Sequence, residues 1–261
     1  MLLAGKIIAG RDADIRLQEV FREIPAHYMN SFICGMVCTA LGKPDDRFKP
    51  LQDYLTQTYP AFFYRNWGFR HLGYKYYGIL VNQEALLENI PAAEQWFYKS
   101  FLNKFKREIT DNSADANKAA LLEEIETIPL PHRLEVVRGL GMLVGADMLF
   151  DTLQAPDYPL DSRFGEQLPA PLQRAFYEGV GCGFAETLCR FWRMLLIPED
   201  AAAAQRAKLL EGEWIRCHSL MSKLPQKNAD LINRGFANEL QERYLPPSIR
   251  AYVDAKFKNA L

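Results

Sequence analysis

Few residues in this sequence could do chemistry, and they are scattered. Glu178, Asp147 and Glu186 fall on two long apolar stretches, and carboxylates facing one interior could serve general acid/base or metal work. Histidine does not join them: His27, His71, His132 and His218 form no HxxxH or ExxH pair, and the adjacent Cys217-His218 lacks companions at zinc-ligand spacing. Neither a metal nor a cofactor is expected. The five cysteines are odd in number and contain no CxxC pair, so they read as buried, reduced thiols, Cys34 and Cys38 included. No GxSxG occurs. Gly139-Leu140-Gly141 and Gly179-Val180-Gly181 look like dinucleotide motifs, yet they sit inside helical patterns, where no strand-to-helix turn can cradle a phosphate. Whether the chain is an enzyme stays open at this level.

The most unusual composition lies in Tyr59 to Tyr77, where nine aromatic residues interleave with Arg65, Arg70, His71 and Lys75. Such a segment can form a wide aromatic core, line a pocket for a hydrophobic small molecule, or present a protein interface. Tyr64, Trp67, Phe69 and Tyr76 are the candidate ligand-binding or interface residues, with Asp147 or Glu178 supplying polarity. Stacking on nucleic acid is set aside, because 31 basic against 32 acidic side chains leave a net charge of −1 and no field for phosphates.

The elements that would position these residues carry an internal pattern. Four segments place an aliphatic residue, a proline, and a glycine ten positions after that proline: Ile24-Pro25 with Gly35, Ile128-Pro129 with Gly139, Leu168-Pro169 with Gly179, and Leu224-Pro225 with Gly235. The middle two align without gaps, IPLPHRLEVVRGLGMLVGADML on LPAPLQRAFYEGVGCGFAETLC, sharing both prolines and a GxG. The first and last copies keep the proline, the first glycine and the apolar spacing but lose the second glycine, and Ile90-Pro91 and Leu245-Pro246 open further helical segments without the glycine. Proline suits a helix start, where its missing N–H has no partner to lose. A glycine inside a helix costs about 1 kcal/mol relative to alanine, so close approach of a neighbouring helix is the expected offsetting gain. The residue before each repeat glycine is Cys34, Arg138, Glu178 or Arg234. If equivalent positions stack, Arg138, Glu178 and Arg234 would pair between neighbours.

Apolar residues recur at helical spacing elsewhere and strand signals are few, which gives an all-α fold: an irregular helical array or bundle with internal Pro-x9-Gly helix repeats. Uneven separation of the copies argues against a regular solenoid. The chain is read as one helical-repeat domain over 1–261, with 1–110 and 111–261 as its lobes if it divides. A hydrophobic share of 49% supplies a sizeable core. The apolar stretches are interrupted by charges, and Met1 to Gly10 is broken by Lys6, so no membrane span or signal peptide is expected and a cytoplasmic location follows.

At FYEGVGCGFAE, Phe176 to Glu186, preceded by Pro169 and Pro171, the sequence resembles an uncharacterised bacterial domain family encoded in enediyne polyketide gene clusters. The resemblance implies an accessory role in natural-product biosynthesis, with Glu178 at the matched position, and brings no established reaction with it. From the residues themselves the expectation is a non-catalytic protein-interaction or scaffold protein, with a protein partner or a second copy of itself. The alternative is an enzyme or binding protein for a hydrophobic small molecule held between helices.

Overall fold

The computed structural model describes residues 17–25, 29, 32, 33, 35, 36, 49–76, 114–152, 163–194, 203–222, 226–242, 245 and 247–258. Over these residues the chain is all-α and no strand forms. Cys34, Cys38, His27 and Met1 to Gly10 lie outside the described residues. The helices are α1 (Leu17–Glu23), α2 (Lys49–Thr58), α3 (Pro60–Trp67), α4 (Ala114–Thr127), α5 (Leu130–Thr152), α6 (Arg163–Glu166), α7 (Ala170–Met194), α8 (Ala203–Ser222), α9 (Gln226–Glu242) and α10 (Pro247–Lys258). α3 runs on without a break through a π-helical turn, Gly68–Leu72, and a last α turn, Gly73–Lys75. No described helix is long and apolar enough to cross a membrane.

Pro129 and Pro169 stand one residue before the first helical residue of α5 and α7. The Pro129 carbonyl accepts from the His132 N–H at 2.8 Å and the Pro169 carbonyl from the Gln173 N–H at 2.9 Å. Each proline thus occupies the capping position, whose carbonyl takes the first bond of the helix. The side chain four residues after such a proline reaches back to the preceding helix. Arg133 Nε donates to the Ile128 carbonyl at 2.8 Å, Gln173 Nε2 to the Gly165 carbonyl at 3.2 Å, and Arg250, four after Pro246, to the Leu240 carbonyl at 3.1 Å. Helix ends leave carbonyls without intrahelical partners, and these side chains satisfy them while fixing the angle of each corner.

The array itself is held by glycine. A Cβ on Gly179 would fall far inside van der Waals distance of the Arg138 carbonyl oxygen, and one on Gly141 would do the same to Phe176. The relation is reciprocal: each glycine faces the carbonyl of the residue three before its partner glycine. Gly145 with Gly183 repeats it about one helical turn farther along α5 and α7, against Val180 and Met142. Gly68 with Gly139 makes the same contact between α3 and α5, and Gly181 with Gly235 between α7 and α9. The contacts advance together along both helices of the α3–α5 and α5–α7 pairs, so those helices run parallel. Residues two apart on a helix are about 200° apart in rotation, so a GxG presents one glycine to each of two opposite neighbours. α5 and α7, which carry GxG, therefore stand between two helices. Among the described residues, α3 and α9 are the outer members of this series.

Two apolar cores result. The main one centres on α5, α7 and α9 and holds Val136, Leu140, Phe176, Phe184 and Phe236; a smaller one holds Phe21, Phe32, Ile33, Met36, Leu51, Leu55 and Phe63, with the buried, helical Gly35 among them. Tyr64 and Trp67 pack against both.

Gly179→Ala or Gly141→Ala is expected to destabilise the chain by about 2–4 kcal/mol, because backbone cannot make way for the methyl group. Gly212, inside α8, has nothing within 4 Å of where its Cβ would stand. Gly212→Ala should therefore stabilise by up to about 1 kcal/mol through helix propensity alone. Urea denaturation of the three variants checks the contrast, and equal shifts at Gly179 and Gly212 would refute it.

Candidate functional site

The glycine contacts dictate which charged side chains meet. Three of the eight carbonyls pressed on a partner glycine belong to charged residues: Arg65 on α3, Arg138 on α5 and Glu178 on α7. Their side chains leave the same close crossings and find one another. Arg65 Nε donates to Glu135 Oε2 at 2.9 Å, Arg138 bonds Glu135 on its own helix, and Arg138 Nη2 donates to Glu178 Oε2 at 3.0 Å. Glu178 Oε1 also faces Arg234 Nη1 of α9 at 3.6 Å, and Arg65 Nη1 lies 3.8 Å from Glu239 Oε2, again on α9. Signs alternate along Glu239, Arg65, Glu135, Arg138, Glu178 and Arg234, and the chain of charges starts and ends on α9.

Beside it lies the Cys182 thiol, which donates to the Gly235 carbonyl at 3.5 Å. Burial pushes this thiol up to about 12, with Glu239 adding to the shift and Arg65 and Arg138 opposing it. At neutral pH it is protonated and a poor nucleophile. Burial works against the charge on Arg65, but the Glu135 and Glu239 carboxylates outweigh it and hold the guanidinium protonated. Arg138 is held likewise, burial opposing and Glu135 and Glu178 favouring its charge. The arrangement thus offers neutralised charge and a quiet thiol, which suits holding helices in register.

The residues singled out from sequence are dispersed. Glu178 sits inside the charge chain, between Arg138 and Arg234. Asp147 and Glu186 are half-buried farther along α5 and α7, and Glu186 is eight residues, about 12 Å, beyond Glu178. Phe69 is buried in the main core with the Arg70 guanidinium 4.4 Å above its ring. Tyr76 is buried there too, and its hydroxyl donates to Glu124 Oε1 at 2.6 Å, an oxygen that Lys75 also bonds. Tyr64 and Trp67 instead lie half-buried where the two cores meet, each stacked on a histidine: Tyr64 on His132 at 4.4 Å and Trp67 on His71 at 5.4 Å. His218 packs between Trp214 and Phe236. Among the described residues, no three His, Cys, Asp or Glu side chains gather to hold a metal ion.

Arg65, Glu135, Cys182 and Glu239 were not among the sequence candidates. A signal for Arg65 exists in register: it stands three residues before Gly68, as Arg138 stands before Gly141 and Glu178 before Gly181. Aligning Gly68 with the second glycine of the GxG helices places a charged residue at the same position in α3, α5 and α7. No protein-family model, curated protein or solved structure matches the chain.

Glu178→Ala is expected to cost about 1–3 kcal/mol, since it strips a carboxylate from two guanidiniums. A double-mutant cycle with Arg138→Ala should show coupling between the two sites, and strict additivity would remove the pair from the account. Cys182 should resist iodoacetamide in the folded protein at mildly alkaline pH and react once urea is added, which peptide mass mapping reads directly.

Proposed function

We propose that this protein is a non-catalytic helical scaffold, built from repeated glycine-packed helices, that holds a protein partner or further copies of itself in the cytoplasm. The observation that carries this reading is that the polar groups nearest to a site, Glu178 above all, are engaged in ion pairs between helices whose backbones already touch. A reaction needs a group able to exchange a proton or attack, and the Cys182 thiol and the two half-buried arginines are held in their protonated forms. Apolar side chains are meanwhile offered outward on α5. Leu130 and Leu134 are 72% and 41% exposed and stand one helical turn apart on one face. An accessory role in natural-product biosynthesis, as the family resemblance implies, fits a scaffold that brings other proteins together.

A second reading rests on a different observation. Tyr64 and Trp67 are half-buried between two cores, each against an imidazole, and flat hydrophobic molecules stack well on such surfaces. In that case the chain is a binding protein or enzyme for a hydrophobic small molecule, with Tyr64 and Trp67 as its contacts.

Native mass spectrometry of the purified protein, before and after denaturation, separates the two. The scaffold reading expects a ligand-free oligomer or protein complex, weakened about tenfold or more by Leu130→Asp with Leu134→Asp while thermal stability is kept. A small molecule that departs on denaturation, with a chain that stays monomeric, would replace it by the second.

A further inference from the structure

Asn228 lies in the first turn of α9 and is 3% exposed, yet its Nδ2 meets no hydrogen-bond acceptor. A buried amide left in this way costs stability, and a leucine of similar size would fill the same place without that cost. The N–H groups of Gln226, Lys227 and Asn228 open the helix, have no carbonyl within it to meet, and give that end a partial positive charge. Register adds a cation. Gly181 of α7 and Gly235 of α9 press on each other's backbone, so a residue seven before either, about two turns away, leaves its helix on the same side. Seven before Gly235 is Asn228, facing α7, and seven before Gly181 is Arg174, facing α9. The same offset holds at Gly139, where His132, seven earlier, stacks on Tyr64 of the neighbouring α3. Cys182 follows the crossing on α7 and bonds the carbonyl of Gly235, which follows it on α9, so the two helices run in one direction. Arg174 and Asn228 therefore stand at one height. Arg174 is exposed and, among the described residues, enters no ion pair or hydrogen bond.

We propose that the groove between the N-terminal ends of α7 and α9 binds a small carboxylate, with the Asn228 amide and the first N–H groups of α9 at its floor and Arg174 at its mouth. Every one of these groups is a donor, so the ligand must be an acceptor. Helix N-termini hold anions by their free N–H groups and their dipole, and here a buried side-chain amide extends that set. One guanidinium and the end of one helix offset a single negative charge, which favours a carboxylate over a doubly charged phosphate. The guanidinium fork matches the two carboxylate oxygens. With the ligand in place, the amide of Asn228 gains the acceptor that the folded chain does not supply, and the groove between the two helices is closed by Arg174.

The test uses the full chain labelled with 15N and titrated with sodium propionate at constant ionic strength, sodium chloride serving as the comparison. The Asn228 side-chain amide and the backbone amides of Gln226, Lys227 and Asn228 are expected to shift together and to saturate, with half-saturation below about 10 mM. Arg174→Met should weaken this binding about tenfold, and Asn228→Leu should abolish the saturable shift at Gln226 and Lys227. No saturable shift would overturn the proposal, as would an equal response to chloride, which marks an adventitious ion only, or a half-saturation unchanged in Arg174→Met. Tighter binding of inorganic phosphate than of propionate would overturn the carboxylate assignment. Should Asn228→Leu fail to fold, the exposed Arg174→Met decides.

Discussion

Everything in this fold depends on how closely two helical backbones can approach when one presents a carbonyl and the other a glycine. Eight glycines on α3, α5, α7 and α9 meet neighbouring backbone in this way, in four reciprocal pairs. Each gives up helix propensity, and what it receives is contact between Cα–H groups and carbonyl oxygens together with dense dispersion packing around them. Because the contact is reciprocal and spaced by three residues, it fixes rotation, height and neighbour at once. Apolar burial then follows: Val136, Leu140, Phe176 and Phe236 fill the spaces on either side of the crossings.

The charge chain is a consequence of that register. Side chains that share a residue with a pressed carbonyl emerge at the closest crossings, so their charges must be compatible. Glu178 separates Arg138 from Arg234, and where two arginine-bearing helices adjoin, at Arg65 and Arg138, Glu135 stands between them. Buried ion pairs seldom add much net stability, but losing one member is costly, so the alternation penalises a helix that pairs with the wrong neighbour. The charges select among packings that glycine makes possible.

Much of this was legible in the residues. The all-α class followed from helical spacing, and the Pro-to-Gly pattern pointed to α5, α7 and α9. Arg138, Glu178 and Arg234 could be picked out because each precedes its glycine. Arg65 is harder to pick out: its helix lacks the first glycine of the pair, and the nine aromatic residues around it suit a core, a pocket or an interface alike. Glu239 and Cys182 carry no local motif, since they matter only through where α7 and α9 cross. The capping role of Arg133, Gln173 and Arg250 was present as a fixed offset from proline, but side-chain-to-carbonyl bonds leave no periodicity to detect.

The outer helices also shape the edges of the pile. In α9 the place that would hold a second glycine is Ala237, and in α3 the place of the first is Asn66. A methyl group or an amide at those points holds a backbone farther off than glycine would, so the outward faces of α3 and α9 are not shaped for the same contact. Among the described residues four helices join by this contact, and the outward faces of the outer two are chemically blunt, much as a crystal face whose lattice sites are capped.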